Sequence, residues 1–528
     1  MISLTLIISI PIITAILGYL IPKLRNEFHY LGIFITLYYA FLLFFNLRKI
    51  NTISKNLFNI KNITFAFNLD NLGSLFVLAV AIVIFLVLVF SFRFIRNWKN
   101  ANNYYLYLSL AIGITNAMIM ANNLFFYSIL SMLLSFLLIL FIFIDSNLNR
   151  NHTISIISQI ALYDIIFIIG VFLLYYNKVD IALFSLSPSE LSSFMPKFGI
   201  MLIVVSIFSK LGFIPFHSYI NKISLQNSLP VYMIIPAILQ KITNIYLLIR
   251  ILYYTINFNQ NNWLLIIMII IGIINIIIAS FTAFTSKTIY HLLNQNAIVQ
   301  ISLIVISISL LNPFGLVGGI YHVISYLTFQ PSLLFTAGSF EYWTKNTYWG
   351  NYETLSFNMP ITFILFILAI LATVGIPPFS SFFSKWMIFE GILNFSTYKL
   401  LKILGIITFF IGLIVNPIYL LRFYDLLKRP KTQYSHRIRD PGFTMWIPSA
   451  MALSISLFLG IFINKISLQY LLQPIISNVL QRSIFFSINI YHSLKFEFSW
   501  ITLLLIISFS IGIIIYYIKP INKKLRGV

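Results

Sequence analysis

The feature that most constrains this chain is its succession of uninterrupted apolar stretches of about 20 residues, each long enough to cross hydrocarbon as a helix. They fall at 2–21, 29–46, 74–93, 104–121, 124–144, 153–176, 198–217, 229–253, 262–283, 289–311, 314–340, 360–391, 402–424, 444–464 and 498–518. Strands of a membrane barrel would alternate over about ten residues. Runs such as Leu264 to Ile278 show no alternation. Backbone groups in hydrocarbon need internal partners, so helices are the spanning solution that remains. The expected fold is all-α, a polytopic membrane bundle of about 14–15 transmembrane helices. Only 9% of the residues are charged, against roughly 25% in soluble chains, which excludes an ordinary soluble enzyme.

The longest polar stretches, 47–73, 177–197, 341–359 and 425–443, are loop-sized. Residues 1–464 therefore read as one membrane domain. Residues 465–528 read as an amphipathic segment, 465–497, followed by a C-terminal transmembrane helix. The 34 Lys and Arg against 12 Asp and Glu give +22. On so apolar a chain this balance fits positive loops and anionic lipid headgroups, not nucleic acid. Lys428, Arg429, Lys431, Arg437 and Arg439 place their loop on the side of synthesis, with the N-terminus opposite. The abundance of Phe and Tyr, 52 and 30 residues, fits the drift of an A/T-rich organellar genome. No basic region precedes the first apolar run, so no cleaved signal is expected. Without cysteine there are no disulfides, thiolate metal sites or cysteine-bound iron–sulfur clusters. Gly-rich nucleotide loops and H-E-x-x-H are also missing, so no cofactor and no metal is expected.

An ionisable group deep in a span costs about 2.5–3.5 kcal/mol on insertion scales, so each is a functional candidate. Lys210 sits five residues before Pro215, Lys241 midway in 229–253, and Lys385 after Gly375-Ile-Pro-Pro378. Asp164 lies mid-span, and His291 and His322 lie near or inside further helices. His217, seven residues from Lys210, is about two turns on along the same helical face, a place from which it would bridge the site to water. Asp70, Glu27 and Glu353 are near span ends, where solvation is the default, and His152 and His492 sit near loops. Proline inside a span frees carbonyls that protein or water must resatisfy, and such breaks mark ion sites. The order is Lys then Pro at 210–215 and Pro then Lys at 377–385. Opposite orders suit an inverted repeat, spans 4–8 against 9–13.

Three stretches carry a resemblance: K-L-G-F-I-P-F-H-S-Y at 210–219, K-I-T-N-I-Y-L-L-I-R at 241–250, and G-I-P-P-F-S-S-F-F-S-K-W at 375–386. From about Leu69 to Trp386 the chain resembles the antiporter-like membrane subunits of respiratory complex I, most strongly the subunit 2 type of NADH dehydrogenase (ubiquinone). The resemblance implies two inverted half-channels that carry protons while the complex passes electrons from NADH to ubiquinone. It implies a multi-pass place in the mitochondrial inner membrane, with other membrane-arm subunits and lipids as partners. Catalysis would belong to the assembly, an H+-translocating NADH:ubiquinone reductase, and redox chemistry to other chains. Lys210 would be the first-half lysine, Lys241 the central relay and Lys385 the exit-side lysine.

One departure matters. Where the family's fifth span carries a glutamate to partner the first-half lysine, this chain has Met132. Asp164, on the next span, is the expected replacement. Tyr163-Asp-Ile-Ile-Phe-Ile-Ile-Gly170 is similar to subunit 5, and His322-Val-Ile-Ser-Tyr326-Leu-Thr-Phe-Gln330 to the histidine-rich helix of subunits 4 and 5. Two other readings stand beside the first: a cation/proton antiporter subunit, or a structural antiporter-like subunit that no longer conducts.

Overall fold

The computed structural model describes residues 4–60, 63–144, 150–179, 181–183, 191, 193–255, 263–345, 347–348, 358–427, 439–480, 504–508 and 510–511. Most of the expected 498–518 span and of the 465–497 segment lies outside these residues, as do Glu353, His492, Lys428, Arg429, Lys431 and Arg437. The chain forms two compact units, Met1–Asn259 with Gln473–Ser487, and Gln260–Leu472 with Ile488–Val528. Among the described residues ten helices are long and apolar enough to cross a membrane, and two further apolar helices are 15 residues long.

The first unit begins with helices α1 (Leu6–Leu20) and α2 (Arg25–Ile50). Here the structure corrects the reading of 47–73 as a plain loop. Strands β1 (Thr52–Ile60) and β2 (Ile63–Asp70) pair antiparallel, with Thr52 opposite Asp70 and a register shift at Asn56/Phe58. Phe65, Phe67 and Leu69 alternate with Thr64, Ala66 and Asn68, the two-residue period that a pleat requires. Helices α3 (Asn71–Phe94), α4 (Ala101–Met120), α5 (Leu124–Ile142), α6 (Arg150–Tyr176), α7 (Phe194–Leu211) and α8 (Ser218–Gln226) follow. Asn122, in the α4–α5 link, accepts from the Ala66 amide at 3.0 Å and donates to the Thr64 carbonyl at 2.7 Å, which pins the hairpin to the bundle. Asn123 caps α5 by accepting from Phe126 N. Helices α9 (Leu229–Tyr232) and α10 (Gln240–Arg250) are joined by a π-helical stretch, Met233–Leu239, holding Pro236. A π turn accommodates a proline that a regular helix would reject. Residues 229–252 are all buried.

In the second unit, helices α11 (Trp263–Phe284), α12 (Ile289–Ser309) and α13 (Pro313–Thr344) precede α14 (Pro360–Val374), α15 (Ser380–Leu393), α16 (Lys399–Leu427) and α17 (Phe443–Ile461). Thr288 and Asn312 cap α12 and α13 through their side-chain oxygens. The apolar stretch 360–391 is therefore two helices.

Among the described residues, each unit contains a helix stopped by the same device. At Gly212 (φ +79°) and Gly375 (φ +88°) the backbone turns left-handed, a conformation that favours glycine. The amide of Phe213 then reaches the Phe208 carbonyl, and that of Ile376 the Leu371 carbonyl, each closing a Schellman cap. Pro215 and Pro377-Pro378 follow and cannot continue a helix.

Candidate functional site: two buried lysines at broken helices

Lys210 is the penultimate residue of α7, placed at the bundle's interior by the break that follows. Its ammonium lies 2.5 Å from Asp164 Oδ1 on α6. It also donates to Ser131 Oγ at 2.5 Å and faces the Phe167 ring at 5.6 Å. Ser135 donates to Asp164 at 3.3 Å, and Ser206 Oγ donates to the Tyr163 carbonyl at 2.7 Å, which holds α6 against α7. Lys210 and Asp164 are 4% and 6% exposed. The structure thus brings together two residues singled out in the sequence and adds two serines that were not. Met132 is 42% exposed, on the outer face of α5. The residues of α5 that meet the ion pair are Ser131 and Ser135, four apart and so on one face.

His217 does not share a helical face with Lys210, a correction to the sequence reading. The left-handed Gly212 ends α7, and His217 sits at the head of α8. It is half-buried, and burial pushes its pKa below the usual histidine value, opposed by a backbone hydrogen bond to Pro215. Two residues on, the Tyr219 hydroxyl lies 3.2 Å from the Lys210 carbonyl and 3.3 Å from Gln240 Oε1. Lys241, next along α10, is fully buried, and its ammonium has no hydrogen-bond partner among the described residues. Its hydrogen-bonding capacity is therefore unspent.

At the other end of α10, Arg250 makes a two-pronged contact with Asp70, with Nη1 donating to Oδ2 at 2.9 Å, Nη2 donating to Oδ1, and Nε donating to Tyr246 at 2.9 Å. Asp70, read from the sequence as solvated, is buried. It also caps α3, accepting from Gly73 N at 2.8 Å.

In the second unit Lys385 lies one turn into α15, 1% exposed. Its ammonium donates to the Thr373 and Val374 carbonyls at 2.8 and 2.9 Å, the last two residues of α14. The freed carbonyls of the broken helix thus receive a cation, which suits the negative end of a helix dipole. The next residue back, Ser384, lies 2.8 Å from His322 Nδ1, and His322 Nε2 lies 3.2 Å from Gln300 Oε1. His291 is half-buried in the first turn of α12, between Ser286 at 2.8 Å and Gln295 at 3.2 Å. Gln300 and its neighbour Asn296, both buried and four apart on α12, escaped the sequence reading because amides carry no charge. Two amides at i and i+4 inside an apolar span were the available signal.

Among the described residues no group of three or more His, Asp or Glu is placed to hold a metal ion.

Residues 121–412 match the family described as NADH:quinone oxidoreductase/Mrp antiporter, transmembrane, a stretch that includes every residue named above at the two lysine sites. NADH-quinone oxidoreductase subunit N of Desulforudis audaxviator is 26% identical over 329 residues, 60% of this chain and 63% of that protein. The chain thus matches under two thirds of that relative's length. A Na(+)/H(+) antiporter subunit of Alkalihalophilus pseudofirmus is 23% identical over 468 residues, 81% of this chain and 57% of that protein. A chain of the Mrp complex from Dietzia sp. superposes with a TM-score of 0.80 at 16% identity, covering 90% of this chain and 97% of that one. A chain of respiratory complex I from Thermus thermophilus with bound NADH gives 0.77 at 15% identity, covering 91% and 99%. At these identities the superpositions establish the antiporter-like membrane fold.

Proposed function

The chain belongs to the NADH:quinone oxidoreductase/Mrp antiporter transmembrane family, and from that premise we propose that it is a proton-translocating membrane-arm subunit of a mitochondrial NADH:ubiquinone oxidoreductase, of the subunit 2 type. The observation that carries this reading is the Asp164–Lys210 pair, a buried acid and base 2.5 Å apart at a broken helix. A full ion pair in the low-dielectric interior is costly to build and is a weak source of stability, so its presence argues for use. The chemistry is proton passage between acid–base groups. Asp164 and Lys210 exchange a proton within one hydrogen bond, and Lys241, His217, His291, His322 and Lys385 are the further groups able to hold one. Other membrane-arm subunits and lipids are the partners, and the inner mitochondrial membrane is the place. NADH oxidation belongs to other chains of the assembly, and this chain needs no cofactor of its own.

The test is Lys210→Met and Lys385→Met in the assembled complex. A conducting chain still assembles, keeps electron transfer to quinone in uncoupled membranes, and loses proton translocation. One that only holds the arm together pumps as before.

The relative named as a Na(+)/H(+) antiporter subunit matches 81% of this chain, which favours a second reading, a subunit of a cation/proton antiporter. Sodium-driven proton efflux without any quinone reductase activity would select it.

A further inference from the structure

The hydrogen bonds behind His322 have a fixed direction. Their far end is a backbone carbonyl, Leu293, which can only accept, so the Gln330 amide must present its Nε2 there, at 3.2 Å. Gln330 Oε1 then faces Asn296, whose Nδ2 donates to it at 3.3 Å. Asn296 Oδ1 consequently points the other way and accepts from Gln300 Nε2 at 3.5 Å and from the Tyr419 hydroxyl at 2.9 Å. That leaves Gln300 Oε1, an acceptor, against His322 Nε2. All of these side chains are fully buried, so each polar atom depends on the partner named for it.

We propose that Gln300, oriented by Asn296 and Gln330, locks His322 in its Nε2–H tautomer and makes it a one-sided proton acceptor that loads and unloads at Nδ1, on the face of Ser384 and Lys385. Gln300 is a positioning residue. It does not take the proton, and it decides which nitrogen does.

Ser384 suits both charge states without movement of heavy atoms. Its hydroxyl has two acceptors in reach, His322 Nδ1 at 2.8 Å and the Ser381 carbonyl at 3.0 Å. While His322 is neutral, the serine hydrogen points at the Nδ1 lone pair. When a hydrated proton is delivered to Ser384 Oγ, the serine's own hydrogen passes to Nδ1, the imidazole gains one positive charge, and water is left behind. The new N–H donates to Ser384 Oγ, whose hydrogen turns to the Ser381 carbonyl. Nε2–H keeps Gln300 throughout, so the amide face offers no exit. Protons that reach His322 leave by the side they entered, and the residue stores charge beside Lys385.

The transport consequence rests on the proton-carrying reading above, whereas the tautomer does not. The experiment is nitrogen NMR of the full-length chain in lipid bilayers with ¹⁵N-histidine, the His322 signals being those lost in His322→Gln. The expected result is a protonated Nε2 and an unprotonated Nδ1 in the neutral ring. Gln300→Leu would bury Nε2–H with no acceptor, so the proton should move to Nδ1, and Gln300→Glu, which keeps an acceptor, should leave it on Nε2. A wild-type ring protonated on Nδ1, or a Gln300→Leu spectrum unchanged from wild type, overturns the inference. If Lys385→Met leaves proton translocation intact while the tautomer is as expected, the functional reading fails and the lock stands.

Discussion

At both breaks a helix stops at a left-handed glycine and leaves carbonyls in need of donors, yet the two lysines divide that work differently. In the first unit the Tyr219 hydroxyl serves the Lys210 carbonyl, which leaves the Lys210 ammonium for Asp164 and Ser131. In the second the Lys385 ammonium serves the Thr373 and Val374 carbonyls itself, and among the described residues no carboxylate pairs with it. A carboxylate is a full charge and can receive the proton the lysine gives up. Peptide carbonyls supply partial charge and cannot be protonated in this range. A proton leaving Lys210 therefore has an acceptor 2.5 Å away. One leaving Lys385 must find another group, and Ser384 with His322 lies adjacent.

This contrast can be broken by stability measurements. Asp164→Leu strands a buried ammonium and should cost about 3–5 kcal/mol, with Asp164→Leu/Lys210→Met regaining most of the loss. Thermal unfolding of the assembled complex in one lipid mixture measures both. Lys385→Met removes hydrogen bonds but strands no charge, so about 1–3 kcal/mol is expected. Equal costs for Asp164→Leu and Lys385→Met would mean that the two lysines are held alike, and the comparison would fall.

Tyr219→Phe sharpens the comparison on the side of the carbonyls. It removes the donor to Lys210 O and should cost about 0.5–1.5 kcal/mol while leaving the Asp164 pair in place. A loss as large as that of Asp164→Leu would show that the hydroxyl, not the carboxylate, holds the first site. The smallest effect concerns His217. Its pKa is lowered by burial, so the unfolded chain binds the proton more readily. Stability is full above the unfolded value of about 6.5 and declines as pH falls below it. Melting curves at pH 7.5 and 5.5 should show a small slope that His217→Gln removes. An unchanged slope would exclude His217 as its source.

The lysines and Asp164 could be picked out of the sequence because charge inside apolar runs is rare and each instance stands out. The rotation of α5 could not. That helix is apolar on nearly every side, so nothing in its pattern says that Ser131 and Ser135 face inward while Met132 faces out. Met132, standing where a glutamate was expected, is thus a side chain of the outer surface, although its presence pointed to Asp164. The break after Lys210 was visible as Gly212 and Pro215, but the carbonyl it frees finds its donor in Tyr219, nine residues ahead. Neutral amides such as Asn296 and Gln300 raise no alarm in a count of charges, although their burial demands partners. The β-hairpin was hidden by polarity, since 47–73 reads as a loop until its two-residue alternation is noticed.

The clasp between Asp70 and Arg250 joins residues 180 positions apart. At a synthesis rate of roughly 5–20 residues per second, the carboxylate exists about 9–36 seconds before its guanidinium is made. Through that interval Asp70 must stay hydrated or protonated, because an unpaired carboxylate in hydrocarbon is prohibitively unstable. With the carboxylate ionised, the hairpin and the head of α3 reach their buried places only after Arg250 arrives. A chain truncated anywhere before that arginine would leave Asp70 without its guanidinium, so the edge of its first hydrophobic unit would stay wet or hold a neutral acid in place of the clasp.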